Sequence, residues 1–202
     1  MNKRERVVQF GYLDDELTDW IRDKELENVL NETALHIGWI IIEFNRLEQV
    51  IHFMLEQLLS NSQGRDEIVN IFLSEMSFSS KQNLLIKIYG QYISRVDNVR
   101  NLEAQLEKVE SRLSESLLKR NRYAHADFGS ISKGKFVKVK TKAKKDGVYH
   151  TFVKFDTDDM GNDLEYIHNT IEILDEFVYF NVYAIRNCFS NFVSMSRMVK
   201  LF

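Results

Sequence analysis

Within the 202 residues, the stretch Arg120-Asn121-Arg122-Tyr123-Ala124-His125 holds the residue types best suited to chemistry on a phosphate. An always-charged guanidinium fits a phosphate through two parallel hydrogen bonds, and an imidazole exchanges a proton near neutral pH. Arg120 and His125 stand five apart. If the segment is helical, that is a little over one turn, so both side chains can reach one cleft. These are the two parts needed to cleave RNA without a metal: a group that takes the proton from a ribose 2′-hydroxyl, and a cation that stabilises the charge growing on the phosphate. A structural role is also open, with Arg120 capping its helix through the dipole and His125 bonding a backbone carbonyl.

Other chemistries have less to stand on. The five histidines are His36, His52, His125, His150 and His168, and none has a second ligand at the spacing a zinc site needs. The one cysteine, Cys188, does not help. No Gly-rich phosphate loop and no serine in a nucleophile-elbow setting appears, so neither a metal nor a cofactor is expected.

Charge is concentrated beside the motif. Between Lys119 and Lys145 lie ten basic residues and one acid, Asp127, so this stretch carries +9 within a chain of net charge −3. Lys119, Arg122, Lys138, Lys140 and Lys142 are therefore candidates for holding a nucleic-acid backbone. The lysines could equally protect an exposed strand edge from sheet-to-sheet association. Few aromatic stackers stand nearby, only Tyr123, Phe128 and Phe136, and Tyr123 is expected to pack.

The elements that must position these residues are mostly helices. No proline occurs, which removes the strongest helix breaker. Residues 13–30 read as a helix with Asp14 and Asp15 as cap candidates. A second helix, capped at Asn31 or Thr33, runs to about Leu59 with Leu35, Trp39, Ile42, Leu47, Val50, Ile51, Met54, Leu55 and Leu58 inward. Its apolar stretch from Trp39 to Phe44 predicts a buried central helix; Glu43, Asn45, Arg46 and Glu48 read as residues at its edge. Asn61 to Gly64 is a loop, a short helix follows from Asp66 to about Met76, and Ser79 or Ser80 caps the next. From Asp97 to Lys119 the pattern is cleanly amphipathic, with Val99, Leu102, Leu106, Val109, Leu113 and Leu117 on one face.

The period then changes. Phe136 to Ala143 alternates, with Val137, Val139, Thr141 and Ala143 opposite Lys138, Lys140 and Lys142; Asp146-Gly147 marks a turn, and Tyr149, Thr151, Val153 and Phe155 alternate on the return. Asp156 to Asn162 reads as a polar linker, after which a long helix carries Leu164, Ile167, Ile171, Leu174, Phe177, Val178, Tyr183 and Ile185. The expected architecture is mainly all-α, a bundle of four to five principal helices in one domain over 1–202, with a β-hairpin inserted at about 135–155.

The bulk numbers suit that reading. Hydrophobic residues make up 44% and charged residues 28%, ordinary for a globular chain. The longest apolar run, Ile37 to Ile42, is too short to span a bilayer. One cysteine and a charged N-terminus without an apolar h-region predict a cytoplasmic setting with no membrane partner.

Arg-Asn-x-x-Ala-His at the end of a bundle helix resembles the HEPN superfamily, whose signature is Arg, a polar residue that is often Asn, then His a few residues on. Weaker similarity extends to Phe44-Asn45-Arg46-Leu47-Glu48 in a long apolar helix, to the junction Met76-Ser77-Phe78-Ser79-Ser80-Lys81, and to an insert followed by a long final helix. The resemblance implies a helical bundle, usually a homodimer, and a metal-independent endoribonuclease of a toxin or antiphage system acting on single-stranded RNA or tRNA. His125 would be the general acid/base, Arg120 the phosphate ligand, and Asn121 would orient the site. An antitoxin or regulatory protein would be a further partner. A toxin subset carries a tyrosine two residues after the histidine; here Asp127 stands there, which argues against that mode of regulation. A catalytically silent HEPN-like module that binds RNA, a nucleotide or a protein is the alternative, and a plain helical scaffold a third.

Overall fold

The computed structural model describes residues 5–9, 24–60, 66–94, 100–132, 135–145, 147–154 and 157–198. The cap candidates Asp14 and Asp15, the loop from Asn61 to Gly64, the helix start at Asp97 and the turn residue Asp146 fall outside them. So do the side chains of Lys138, Lys140, Lys142, Val178, Tyr183 and Ile185. The backbone divides into two compact units, Met1–Ile42 with Leu118–Glu165, and Glu43–Leu117 with Tyr166–Phe202.

Among the described residues are five helices: α1 (Lys24–Leu59), α2 (Glu67–Ser74), α3 (Phe78–Ile93), α4 (Arg100–Ala124) and α5 (Thr157–Met198). The chain is mainly helical, as its composition predicts. No described helix is long and apolar enough to cross a membrane.

Helix α1 corrects two expectations. It runs unbroken through Asn31 and Thr33, neither of which caps a helix. One weak helix former costs well under 1 kcal/mol in an interior, which flanking apolar contacts readily offset. Its buried apolar residues are Ile40, Phe44, Leu47, Ile51, Met54 and Leu55, a stripe advancing by threes and fours. Leu35, Trp39 and Ile42, expected inward, are instead 66%, 48% and 53% exposed. A segment apolar on nearly every side carries no phase of its own, so neighbours decide which face turns in.

In the second unit those neighbours are identifiable. The Phe44 and Phe78 rings lie 4.6 Å apart and Lys81 Nζ donates to Glu48 Oε1 at 2.8 Å, joining α1 to α3. The segments Phe44–Glu48 and Met76–Lys81 are thus in contact. Gln82 Nε2 donates to Ser114 Oγ at 2.8 Å, joining α3 to α4. Tyr89 meets Phe177 of α5 with ring centroids 4.8 Å apart. Arg112 lies 3.7 Å over the Tyr166 ring, its Nη2 donating to the Tyr166 carbonyl at 3.0 Å, and Ser116 Oγ lies 3.2 Å from Thr170 Oγ1, joining α4 to α5. Each long helix has at least two such attachments, which makes this unit a helical bundle. Val109 and Leu113 are buried as expected of the α4 stripe.

Boundaries shift where a local bond outcompetes a better-looking residue. Ser77, not Ser79 or Ser80, caps α3: it is extended (φ −65°, ψ 158°) and its hydroxyl accepts from the Ser80 N–H at 3.2 Å. Starting there places Phe78 against Phe44. Asp66 caps α2 as its position suggests, accepting from the N–H groups of Ile68 and Val69. The stretch read as a linker is helical from Thr157 onward, because Met160 and Asp163 already lie on the buried face that continues through Ile167, Ile171 and Leu174.

The first unit also contains extended segments, β1 (Glu5–Gln9), β2 (Asp127–Ser132), β3 (Lys135–Lys144) and β4 (Gly147–Lys154), antiparallel in the order β1-β4-β3-β2. Val139 is buried, whereas Thr141 and Ala143 on the same face are exposed.

Candidate functional site

Helix α4 does not stop at Lys119, as its apolar stripe suggests, but continues through Ala124; His125 follows in a turn closed by the Ala126 N–H on the Tyr123 carbonyl at 3.3 Å. The candidate motif is therefore the last turn of a helix plus one residue beyond it. There the dipole and the open carbonyls favour positive groups.

The motif has two faces. Lys119, Arg122 and Tyr123 stand at i, i+3 and i+4, hence side by side. All three reach Asp163 of α5: Lys119 Nζ donates to Oδ1 at 2.6 Å, and Arg122 Nη1 and the Tyr123 hydroxyl donate to Oδ2 at 3.0 and 2.7 Å. The carboxylate is 4% exposed. A buried carboxylate needs pairing and hydrogen bonds to offset its lost hydration, and here both oxygens receive them. Burial of the Tyr123 phenol, reinforced by its bond to Asp163, pushes its pKa well above the ordinary tyrosine value. Tyr123 is therefore a donor at any physiological pH, and it packs as expected.

The other face holds the candidate chemistry. Arg120 is half-buried and its Nη1 donates to Asn121 Oδ1 at 2.9 Å, so the two neighbours brace one another. Asn121 and His125 are exposed. Arg120, Asn121 and His125 thus share the helix end, with Arg120 and Asn121 in contact and His125 on the turn beyond.

Lys119 and Arg122, proposed from sequence as nucleic-acid ligands, lie on the Asp163 face. Lys119 commits its ammonium to that carboxylate. Arg122 commits one terminal nitrogen while its side chain stays 39% exposed. The backbone of Lys138, Lys140 and Lys142 runs in β3.

Asp163 stands one residue beyond Asp156–Asn162, the stretch whose composition reads as a linker. A signal was present: Asp163 falls three after Met160 and four before Ile167, in phase with the apolar stripe, and an acid on a buried face needs cationic partners. Among the described residues, no group of three or more His, Cys, Asp or Glu side chains could hold a metal ion. Compared with family models, with curated proteins and with solved structures, the chain matches none.

Proposed function

We propose that the chain is a metal-independent endoribonuclease of HEPN type. The observation that carries the proposal is the end of α4, where Arg120 is braced by Asn121 and His125 stands exposed one turn further on, while Asp163 anchors the opposite face of the same turn. Arg120 binds the scissile phosphate and stabilises its growing charge; Asn121 orients that guanidinium.

In the proposed reaction two copies of the chain form a homodimer that brings their motifs together. His125 takes the proton from the ribose 2′-hydroxyl, the 2′-oxygen bonds to phosphorus, and the P–O5′ bond breaks. His125 of the partner subunit protonates the leaving 5′-oxygen, so the products are a 2′,3′-cyclic phosphate and a 5′-hydroxyl. The inserted hairpin, with Lys138, Lys140 and Lys142, holds single-stranded RNA or tRNA by its backbone. A cytoplasmic toxin or antiphage role, restrained by an antitoxin or regulatory protein, fits such an activity.

A catalytically silent binding module is favoured by a different observation. Lys119 and Arg122 spend charge on Asp163, which leaves less cation at the motif to stabilise the charge growing on a scissile phosphate.

Incubating purified wild type and His125→Ala with total RNA and tRNA in EDTA, followed on a denaturing gel, decides between them. The nuclease reading expects discrete cleavage by the wild type and a loss of about 10²–10⁴-fold in the variant, typical of removing a general acid/base. Cleavage by His125→Ala at the wild-type rate overturns it. RNA bound but uncut by both would establish the silent module.

A further inference from the structure

A second polar site lies in the helical unit, away from the motif in sequence. It is a cleft of about 550 Å³, lined by α1 side chains between Asn45 and Glu56 and by Lys81 of α3. That volume is of the size that receives small molecules. Two of its polar groups are already engaged: Lys81 Nζ holds Glu48 Oε1 at 2.8 Å, and His52 Nε2 lies 2.8 Å from Asn70 Oδ1.

Glu56 is different. It is 7% exposed, and its Oε1 is buried without a hydrogen-bond partner. Buried acceptors are normally satisfied, and an unmet one on a carboxylate marks a place where a donor belongs. The formal charges at the lining, Glu48 and Glu56 against Lys81, leave one negative charge in excess. Among the described residues no group of three or more His, Cys, Asp or Glu side chains stands here to hold a metal ion. Phe53, 59% exposed, adds an apolar wall to the same cleft.

An unsatisfied buried acceptor, an excess negative charge and an exposed ring together select one kind of ligand. We infer that this cleft binds a small organic cation, an ammonium or amidinium group paired with the Glu56 carboxylate and an aromatic or aliphatic body lying on Phe53. The cation would balance the excess charge of the lining, and cation and body would both gain from the ring face.

Calorimetry on the full chain with 2-phenylethylamine, benzamidine and the neutral 2-phenylethanol tests the assignment. The two cations are expected to bind and the alcohol to bind at least about tenfold more weakly, a difference of about 1.4 kcal/mol. Glu56→Gln should weaken the cations by at least about tenfold, and Phe53→Ala, at an exposed position that folding does not depend on, by a few-fold. The inference is overturned if neither cation binds, if the alcohol binds as well as the amine, or if Glu56→Gln binds unchanged. Should Glu56→Gln not fold, Phe53→Ala and the cation-to-alcohol ratio decide alone, and equal binding in all of them overturns it.

Discussion

Two buried carboxylates invite comparison. Asp163, 4% exposed, receives donors on both oxygens from Lys119, Arg122 and Tyr123. Glu56, 7% exposed, has an oxygen that receives none. The same functional group, removed from water to nearly the same degree, is an anchor in one place and an open demand in the other. Burial alone therefore does not distinguish a structural acid from a binding acid; the count of donors around it does.

Removing each carboxylate should expose that difference, first at Asp163. Asp163→Ala removes the acceptor shared by the Lys119 ammonium and the buried Tyr123 hydroxyl and is expected to cost about 3–5 kcal/mol in urea unfolding. Most of that loss belongs to Lys119 and Tyr123, since Arg122 is 39% exposed and its contribution is screened by solvent. A loss under about 1 kcal/mol would show that the cluster is not an anchor. Glu56→Met should have the opposite sign, raising stability by about 1–2 kcal/mol, because an apolar chain of similar length removes an unsatisfied acceptor. A drop in melting temperature for Glu56→Met would mean that Glu56 is satisfied after all, and the comparison would fail.

How far these features could be read in the sequence follows the same division. Stripes such as Val109 and Leu113 on α4, or Ile167, Ile171 and Leu174 on α5, are periodic and need no partner to be recognised. Trp39 and Ile42 turn outward against expectation because a segment apolar on all sides has no phase, and only neighbours set one. Ser77 lost to Ser79 and Ser80 in the sequence because all three are good caps; contact of Phe78 with Phe44, 34 residues away, goes with the earlier start. The motif itself was legible as a string, Arg-Asn followed by His. Its division into two faces was not, since the Asp163 that claims Lys119 and Arg122 lies some forty residues on. Local spacing was readable, and long-range pairing of charge was not.

The finest test of the Asp163 cluster is its smallest member. Tyr123→Phe removes one donor while Lys119 and Arg122 remain, so it should cost only about 1 kcal/mol at neutral pH. Its signature lies in alkali. Burial first, then the bond to Asp163, raises the Tyr123 pKa above the ordinary value of 10.0, and burial does the same to Tyr89. Above about pH 10 the unfolded chain loses these phenolic protons while the folded chain keeps them, so the unfolded state binds fewer protons and stability falls as pH rises. The stabilisation is complete below about pH 10 and declines above it by up to about 1.4 kcal/mol per pH unit for each tyrosine. Urea unfolding between about pH 9 and 11.5 should therefore show the two-tyrosine slope roughly halved in Tyr123→Phe, with Tyr89 supplying what remains. An unchanged slope would mean that the phenol ionises as easily in the folded chain as in the unfolded one. Asp163 would then rest on its two cations alone, and the contrast with Glu56 would narrow to charge pairing rather than donor count.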